Sequence, residues 1–335
     1  MTRSATIRDV AKLAGVSTAT VSRAIAEPAL VSADTREAVL KAAAEINYTP
    51  NLLARNLRQQ RTKSILVLVE DIANPFYPEI FHAMEEAAQQ RGYTVLLGNT
   101  GHSNEREQGY WDLVRAKRAD GVVLFTGQLP EGTDPKRLPP VVLMAERIAG
   151  ATLPLVAIDN EEAAARATRH LVDLGHRRIA HISGPQHRVI SRDRLAGWRR
   201  AMDEAGLPLT DDLLVPGEFT IPGGEAAMRQ LMALPDRPTA VFAANDESAV
   251  GALRAAQRLG LDVPRDVSLV GFDDIALAAL FDPALTTIRQ PRPELGDAAM
   301  RLIIDRIEGK GTPTAPTILP APLIERGSTA KRGTK

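Results

Sequence analysis

From residue 64 onward the chain repeats one pattern. A short, unbroken apolar run is followed by a longer stretch whose apolar residues recur at helical spacing. Apolar runs without polar alternation are strands covered on both faces, as in parallel sheets. Parallel strands need crossover connections, and the stretches between the runs are long enough to supply helices. This repetition leaves little but α/β architecture with doubly wound parallel sheets.

The first series has strands at Ile65–Val69, Tyr93–Leu97, Gly121–Phe125, Val141–Met144 and Leu155–Ile158. One helix between them carries Ile80, Phe81, Met84, Ala87 and Ala88, and another spans Asn104–Arg118. The series then restarts. Helices are expected at Glu161–Leu174, Leu195–Ala205, Gly223–Ala233 and Asp246–Leu259, and strands at Arg178–Ser183, Ala240–Ala243 and Val267–Phe272. A late helix, Gln290–Glu308, and a final strand, Pro322–Arg326, imply that the chain crosses between two lobes more than once. The expected organisation is residues 63–159 plus about 291–319 as one lobe, 160–290 plus about 320–329 as the other, and a frayed tail at 330–335.

Open parallel sheets bind ligands beyond the carboxyl ends of their strands, and two-lobed proteins bind them between the lobes. That rule selects Phe76 and Tyr77, Asp159 and Asn160, Ser191 and Arg194, Phe219, Asn245 and Asp246, and Asp273 and Asp274. Arg, Asn and Asp side chains offer forked donors and acceptors to vicinal hydroxyls, and aromatic rings cover an apolar ring face. A sugar or a nucleoside suits this set. Each position also has a plainer reading. Asn245 and Asp246 would serve as helix caps, Asp273 as a structural partner of Arg194, and Phe219 as core.

The first sixty residues read differently. In TIRDVAKLAGVSTATVSRAI (Thr6–Ile25), Thr6 is placed to cap a helix with Val10, Leu13 and Ala14 on one stripe. Gly15 ends it, since glycine accepts the positive φ of a tight turn. Ser17 caps a second helix whose inner stripe is Val21, Ala24 and Ile25. At about 100° per residue, Ala19 and Arg23 point away from that stripe, Thr18 and Ser22 lie on one flank, and Thr20 lies on the other. Two helices joined in this way form a helix-turn-helix. Ser17, Thr18, Ala19, Thr20, Ser22 and Arg23 are then the DNA-facing candidates. Arg23 suits a guanine edge, Ala19 a thymine methyl, and the hydroxyls suit phosphates. An ordinary helical hairpin with a solvated outer face is the alternative. Ser32 caps a third helix with Val39, Ala42, Ala43 and Ile46 inward. NLLARNLR (Asn51–Arg58) is too short to be helical alone. Residues 1–50 are thus read as a DNA-binding domain and 51–62 as a hinge helix and linker.

Charge separates the two parts. The chain carries 41 basic and 41 acidic residues, but residues 1–62 hold nine Lys/Arg against five Asp/Glu, leaving 32 against 36 beyond. A basic head on an acidic body fits a DNA-reading module joined to another function. The absence of cysteine excludes disulfides, thiolate metal sites and thiol nucleophiles. No apolar h-region marks a signal peptide and no apolar run could span a bilayer, so a soluble, cytoplasmic protein is expected. An enzyme is disfavoured: GxxxxGK[ST], GxGxxG after the first strand, GxSxG and HExxH are all missing. No catalytic residue, metal site or cofactor is expected. A periplasmic-type sugar-binding protein would share the two lobes, but not the basic head.

IRDVAKLAGVSTATVSRAI, VSADTREAVLKAAAEINYTPN, LARNLR, RDRLAGW, VFAANDESAVGAL, SLVGFDDI and ALTTIRQP together resemble the lac-repressor/galactose-repressor family of bacterial transcription regulators, from Thr6 to about Ser328. STATVSRA, VEDIANPFYPEI and LTTIRQP are most similar to its cytidine-repressor branch. The resemblance implies a helix-turn-helix headpiece, a hinge helix and a two-lobed, periplasmic-binding-protein-like core. It implies a homodimer on operator DNA, probed through the minor groove by Asn51, Ala54, Arg55 and Leu57, with Leu57 wedged between base pairs. It also implies an effector site at Phe76, Tyr77, Asp159, Ser191, Arg194, Phe219, Asn245 and Asp273, for a nucleoside or, second, ribose or another sugar. HRVIS (His187–Ser191) and LMAER (Leu143–Arg147) follow no single branch. Arg188 is a further candidate for the pocket, while Arg192 is expected to point elsewhere.

Overall fold

A computed structural model describes residues 5–26, 30–48, 61–130, 132, 134, 138–311, 313 and 315–333. The chain divides into two compact units, Met1–Thr62 and Lys63–Lys335.

The first unit has three helices among its described residues: α1 (Ile7–Leu13), α2 (Thr18–Ala26) and α3 (Ala33–Glu45). At the start of α1 the Asp9 carboxylate accepts from both Thr6 N (2.9 Å) and Thr6 Oγ1 (2.7 Å). Ser17 Oγ accepts from Thr20 N at 3.1 Å to cap α2. Gly15 holds φ at +67° in the turn between them. The core is Val10, Ala11, Val21, Ala24, Val39 and Ala42. Leu13, expected on the inner stripe, is 47% exposed. Ile7, Val10, Ala11 and Ala14 make the buried face of α1 instead, a spacing of i, i+3, i+4, i+7 that leaves Leu13 off its edge.

The second unit contains two six-stranded sheets. Its elements are β1 (Ser64–Val69), α4 (Pro78–Gln90), β2 (Thr94–Asn99), α5 (Asn104–Arg115), β3 (Gly121–Leu124), β4 (Val141–Met144), β5 (Leu155–Ile158), α6 (Asn160–Asp173), β6 (Ile179–Ser183), α7 (Val189–Glu204), β7 (Leu214–Pro216), α8 (Ile221–Met232), β8 (Ala240–Ala243), α9 (Asp246–Arg258), β9 (Ser268–Asp273), β10 (Thr286–Arg289), α10 (Arg292–Ile307), β11 (Thr317–Leu319) and β12 (Leu323–Ile324). The first sheet runs β2-β1-β3-β4-β5-β11 and the second β7-β6-β8-β9-β10-β12. Every pairing is parallel except β10 with β12. After β10 the chain returns to the first sheet: α10 packs on α4 and over β3, β4 and β5. β11 then joins β5, and β12 joins β10. The main core gathers the strand interiors with Met84, Trp198, Met228 and Ile303, and Trp111 anchors a second cluster behind the first sheet.

Several boundaries depart from the sequence reading. Helix α7 begins at Val189, not Leu195, so Ser191 and Arg194 lie on a helix rather than in the loop before it. The edge strand β11 was not foreseen, and the last strand shrinks to Leu323–Ile324. Two- and three-residue edge strands have too few positions to show a period. Close helix contact explains one glycine: a Cβ on Gly197 of α7 would lie 2.1 Å from the Glu161 carbonyl of α6.

Candidate functional site

In both sheets the strand order reverses at the first strand, β1 or β6: the second strand of the series is placed on one side of it and the third on the other. The carboxyl ends beside that strand open a crevice where ligands of such sheets bind. Here the crevices of the two sheets meet in one cavity of about 220 Å³. From the first sheet come Glu70, Asp71, Asn74, Phe76 and Tyr77 after β1, Phe125 after β3 and Ala145 after β4. The second supplies Arg188 after β6, Phe219 after β7, Asn245 after β8, Asp273 at the end of β9 and Gln290 after β10.

Arg194 forms the floor. It is 3% exposed and its guanidinium stacks 3.8 Å over the Phe272 ring. Nε donates to Asn160 Oδ1 (2.9 Å) and Nη1 to the Ala244 carbonyl (2.6 Å), with Asp273 Oδ1 3.7 Å away. Nη2 has no hydrogen bond among the described residues. Asp273 accepts from Gln290 Nε2 at 2.7 Å on one oxygen. Burial pushes its carboxyl up and Arg194 pulls it back. Asn245 does both things the sequence left open. Its Oδ1 caps α9 through Ser248 N (3.0 Å), while its Nδ2 donates to the Phe219 carbonyl (3.0 Å) at the cavity wall. Tyr77 sits edge-on to Phe125 and Phe76 and stacks on Phe81; burial raises its phenol above the ordinary value.

A second polar group ties one sheet to the other. The Arg188 guanidinium contacts the carboxylates of Glu70 and Glu146 and donates to the Phe125 carbonyl at 3.2 Å. Glu146 also accepts from Val189 N at 2.9 Å. Burial lowers Arg188 to about 10. Nearby, Asn74 Nδ2 donates to Glu247 Oε2 at 2.9 Å, and burial, reinforced by Asp273, lifts Glu247 to about 7.

The backbone is bent around this cavity. His102, Ala145, Glu218, Phe219, Asp273 and Asp274 all hold φ between +54° and +120°, where non-glycine residues are uncommon and cost free energy. The first five line the cavity, so the rest of the fold is holding side chains in place against local preference.

The predicted residues separate accordingly. Phe76, Tyr77, Arg194, Phe219, Asn245 and Asp273 line the cavity, with Arg188. Asp159 does not: its carboxylate caps α6 through Glu162 N at 2.9 Å, because β5 lies too far along the sheet from the switch beside β1. Ser191 is fully buried behind the wall; a Cβ on Gly184 would meet its Oγ at 2.6 Å and the Phe219 ring at 2.3 Å. Asp246 is structural, accepting from Ile275 N and Thr287 Oγ1. Arg192 turns to the carbonyls of Gln186 and His187. Glu70, Glu146, Glu247 and Gln290 were missed. Glu70 and Gln290 immediately follow β1 and β10, so the strand-end rule would have found them.

In the first unit the expected outer face of α2 is open. Ser17, Thr18, Ala19, Ser22 and Arg23 are exposed and Thr20 is half-buried, while Val21 and Ala24 are buried. Asn51, Ala54, Arg55 and Leu57 lie outside the described residues. No group of three or more potential metal ligands, and no helix long and apolar enough to cross a membrane, occurs among the described residues.

Known proteins share both units. Residues 6–51 match the family described as bacterial regulatory proteins, lacI family, and residues 168–329 a periplasmic binding protein-like domain. The HTH-type transcriptional repressor CytR of Escherichia coli (strain K12) is 42% identical over 328 residues, 97% of this chain and 96% of that protein. The HTH-type transcriptional repressor PurR of Escherichia coli O139:H28 is 41% identical over 331 residues, 97% of each chain. The lac repressor dimer bound to operator and an anti-inducer superposes with a TM-score of 0.85 at 29% identity, over 98% of this chain and all of that one. These relatives are repressors and not enzymes. With a helix-turn-helix headpiece and a two-lobed ligand-binding core, the chain belongs to the lacI family of DNA-binding bacterial regulatory proteins.

Proposed function

We propose that this repressor's operator affinity is controlled by a small, uncharged, hydroxyl-rich ligand bound between the lobes, a nucleoside in the first place and ribose or another sugar in the second. The observation that carries the reading is the balance of charge in the cavity. Glu70, Asp71, Glu218, Glu247 and Asp273 line it against two cations, and Arg188 is already engaged by Glu70 and Glu146. A phosphorylated ligand would meet mostly carboxylates in a partly desolvated site, which is costly. A neutral ligand loses nothing by this, and Arg194 Nη2, the second oxygen of Asp273 and Asn245 can hold vicinal hydroxyls. The rings of Phe76, Tyr77, Phe125 and Phe219 suit a flat base or a sugar face.

The protein acts as a cytoplasmic homodimer on a pseudo-palindromic operator, reading bases with Arg23 and Ala19 and placing two Leu57 wedges side by side. Exposed Leu96 and Leu97 on the edge strand β2, each 41% accessible, suit burial against a second copy. The test is a gel-shift titration on DNA selected by the protein from a random pool, with cytidine, ribose and cytidine 5′-monophosphate added in turn. Cytidine is expected to change operator affinity by roughly 5–150-fold, ribose less, and the monophosphate little. An equal response to the monophosphate would show the charge argument to be wrong.

A further inference from the structure

We propose that the two lobes are held together by the protein's own side chains, through a clamp centred on Arg188, and need no ligand to close. Arg188 immediately precedes α7 in the second lobe and is 9% exposed. Its partners all lie in the first lobe: the carboxylates of Glu70 after β1 and Glu146 after β4, and the Phe125 carbonyl after β3. Glu146, 2% exposed, accepts in turn from Val189 N of the second lobe at 2.9 Å. Two further pairs cross between the lobes. Asn74 Nδ2 donates to Glu247 Oε2 at 2.9 Å, and Arg147 donates to Asp193 through two bonds at 3.1 and 3.3 Å.

A buried ion pair is by itself weak evidence of net attraction, because desolvation can cancel the Coulombic gain. What tips the balance here is how fully the charges are satisfied. Arg188 meets two carboxylates and a carbonyl, and Glu146 takes a backbone N–H besides. Such extra bonds are the condition under which a buried pair outweighs its desolvation. Both carboxylates belong to one lobe and the cation to the other, so the pairing exists only while the lobes are together. The Arg147–Asp193 pair is more exposed and adds little. The clamp fixes the sign of regulation. A ligand shifts an equilibrium only by its differential affinity for the two states. Where the lobes already stand together, a ligand favouring that arrangement has almost nothing left to shift. An effector that changes operator affinity then does so by favouring lobes that part. That consequence rests on the ligand-controlled reading above; the clamp itself does not.

The chain has no cysteine, so cysteines introduced at Glu105 on α5 and Ala226 on α8, both exposed, are the only sites for spin labels. Pulsed electron spin resonance on the full chain without ligand, co-assembled with excess unlabelled chain, reads the distance between the lobes of one molecule. With the clamp intact a single narrow distance is expected. Arg188→Met strands Glu70 and Glu146, which regain water only when the lobes part, and should add a population more than about 2 Å longer. The neutral combination of Arg188→Met, Glu70→Gln and Glu146→Gln strands no charge. It therefore avoids the folding penalty of the single variant, and its longer population reports loss of the clamp alone. A broad or long distribution in the protein with its clamp intact would overturn the proposal. So would the narrow distance persisting in Arg188→Met, or returning in the neutral combination. No ligand enters the measurement, so its failure would leave the nucleoside reading untouched, and a chain that ignores cytidine would leave the clamp untouched.

Discussion

Replacing Arg194 with methionine keeps most of the side-chain volume and removes the cation from the cavity floor. Three groups then lose a partner: Asn160 Oδ1, the Ala244 carbonyl and Asp273. Asp273 is left buried with only the Gln290 amide donating to it. Removing one partner of a buried ion pair costs about 3–5 kcal/mol, chiefly because the other charge is stranded. Burial already pushes the Asp273 carboxyl up, so proton uptake limits the loss and places it at about 3–4 kcal/mol. At about 2–4 °C per kcal/mol for a domain of this size, Tm should fall by roughly 10 °C. Adding Asp273→Asn removes the stranded charge. The double variant should therefore recover about 1–3 kcal/mol relative to the sum of the two single losses. Urea unfolding followed by tryptophan fluorescence reads this directly, since Trp198 lies on the same helix as Arg194. A loss below about 1 kcal/mol for Arg194→Met, or strict additivity in the double variant, would show that the pair is not a coupled structural unit. The clean probe of ligand binding is then Asp273→Asn alone, which preserves the shape.

Three further outcomes are expected. Arg23→Ala should weaken specific DNA binding by about 1–3 kcal/mol and relax preference at one base pair per half-site; equal loss on every sequence in a binding selection would reduce it to a phosphate contact. Gly197→Ala should destabilise the second unit by at least the ~3 kcal/mol at the upper end of overpacking, because the new methyl meets the backbone of α6; an unshifted denaturation midpoint would contradict that contact. Glu247 is held up near 7 in the folded state, above its unfolded value of about 4.3. The folded protein therefore binds the proton more tightly, and stability falls as pH rises from about 4.3 toward 7. Glu247→Gln should flatten that fall in a pH series of urea midpoints, and an identical slope in both proteins would exclude Glu247 as its source.

Much of this protein is written locally. The continuous apolar runs of β1, β3, β8 and β9 sit close to their expected places because a strand covered on both faces has no polar position to blur it. The outer face of α2 follows from the angular separation of Arg23 and Ala19 from Val21 and Ala24, which any α-helix enforces. Phe76, Asn245 and Asp273 are visible because strand ends announce themselves in a parallel sheet. Val10 and Ala14 face inward as the stripe requires, but Ile7 and Ala11 complete the buried face on the side away from Leu13, which is left exposed at its edge.

What the tertiary structure alone decided is which strand ends meet. Asp159 and Asp273 look alike in sequence, each an acid after an apolar run. Yet strand order puts β5 away from the switch beside β1, and so Asp159 only caps a helix. Ser191 and Arg194 share one helix, but only Arg194 is long enough to reach past Phe219 to the cavity floor. Glu146 meets Arg188 only because two sheets distant in sequence close on each other. Charge balance in a buried site is a property of that closure, since neighbours in space set it and neighbours in the chain do not.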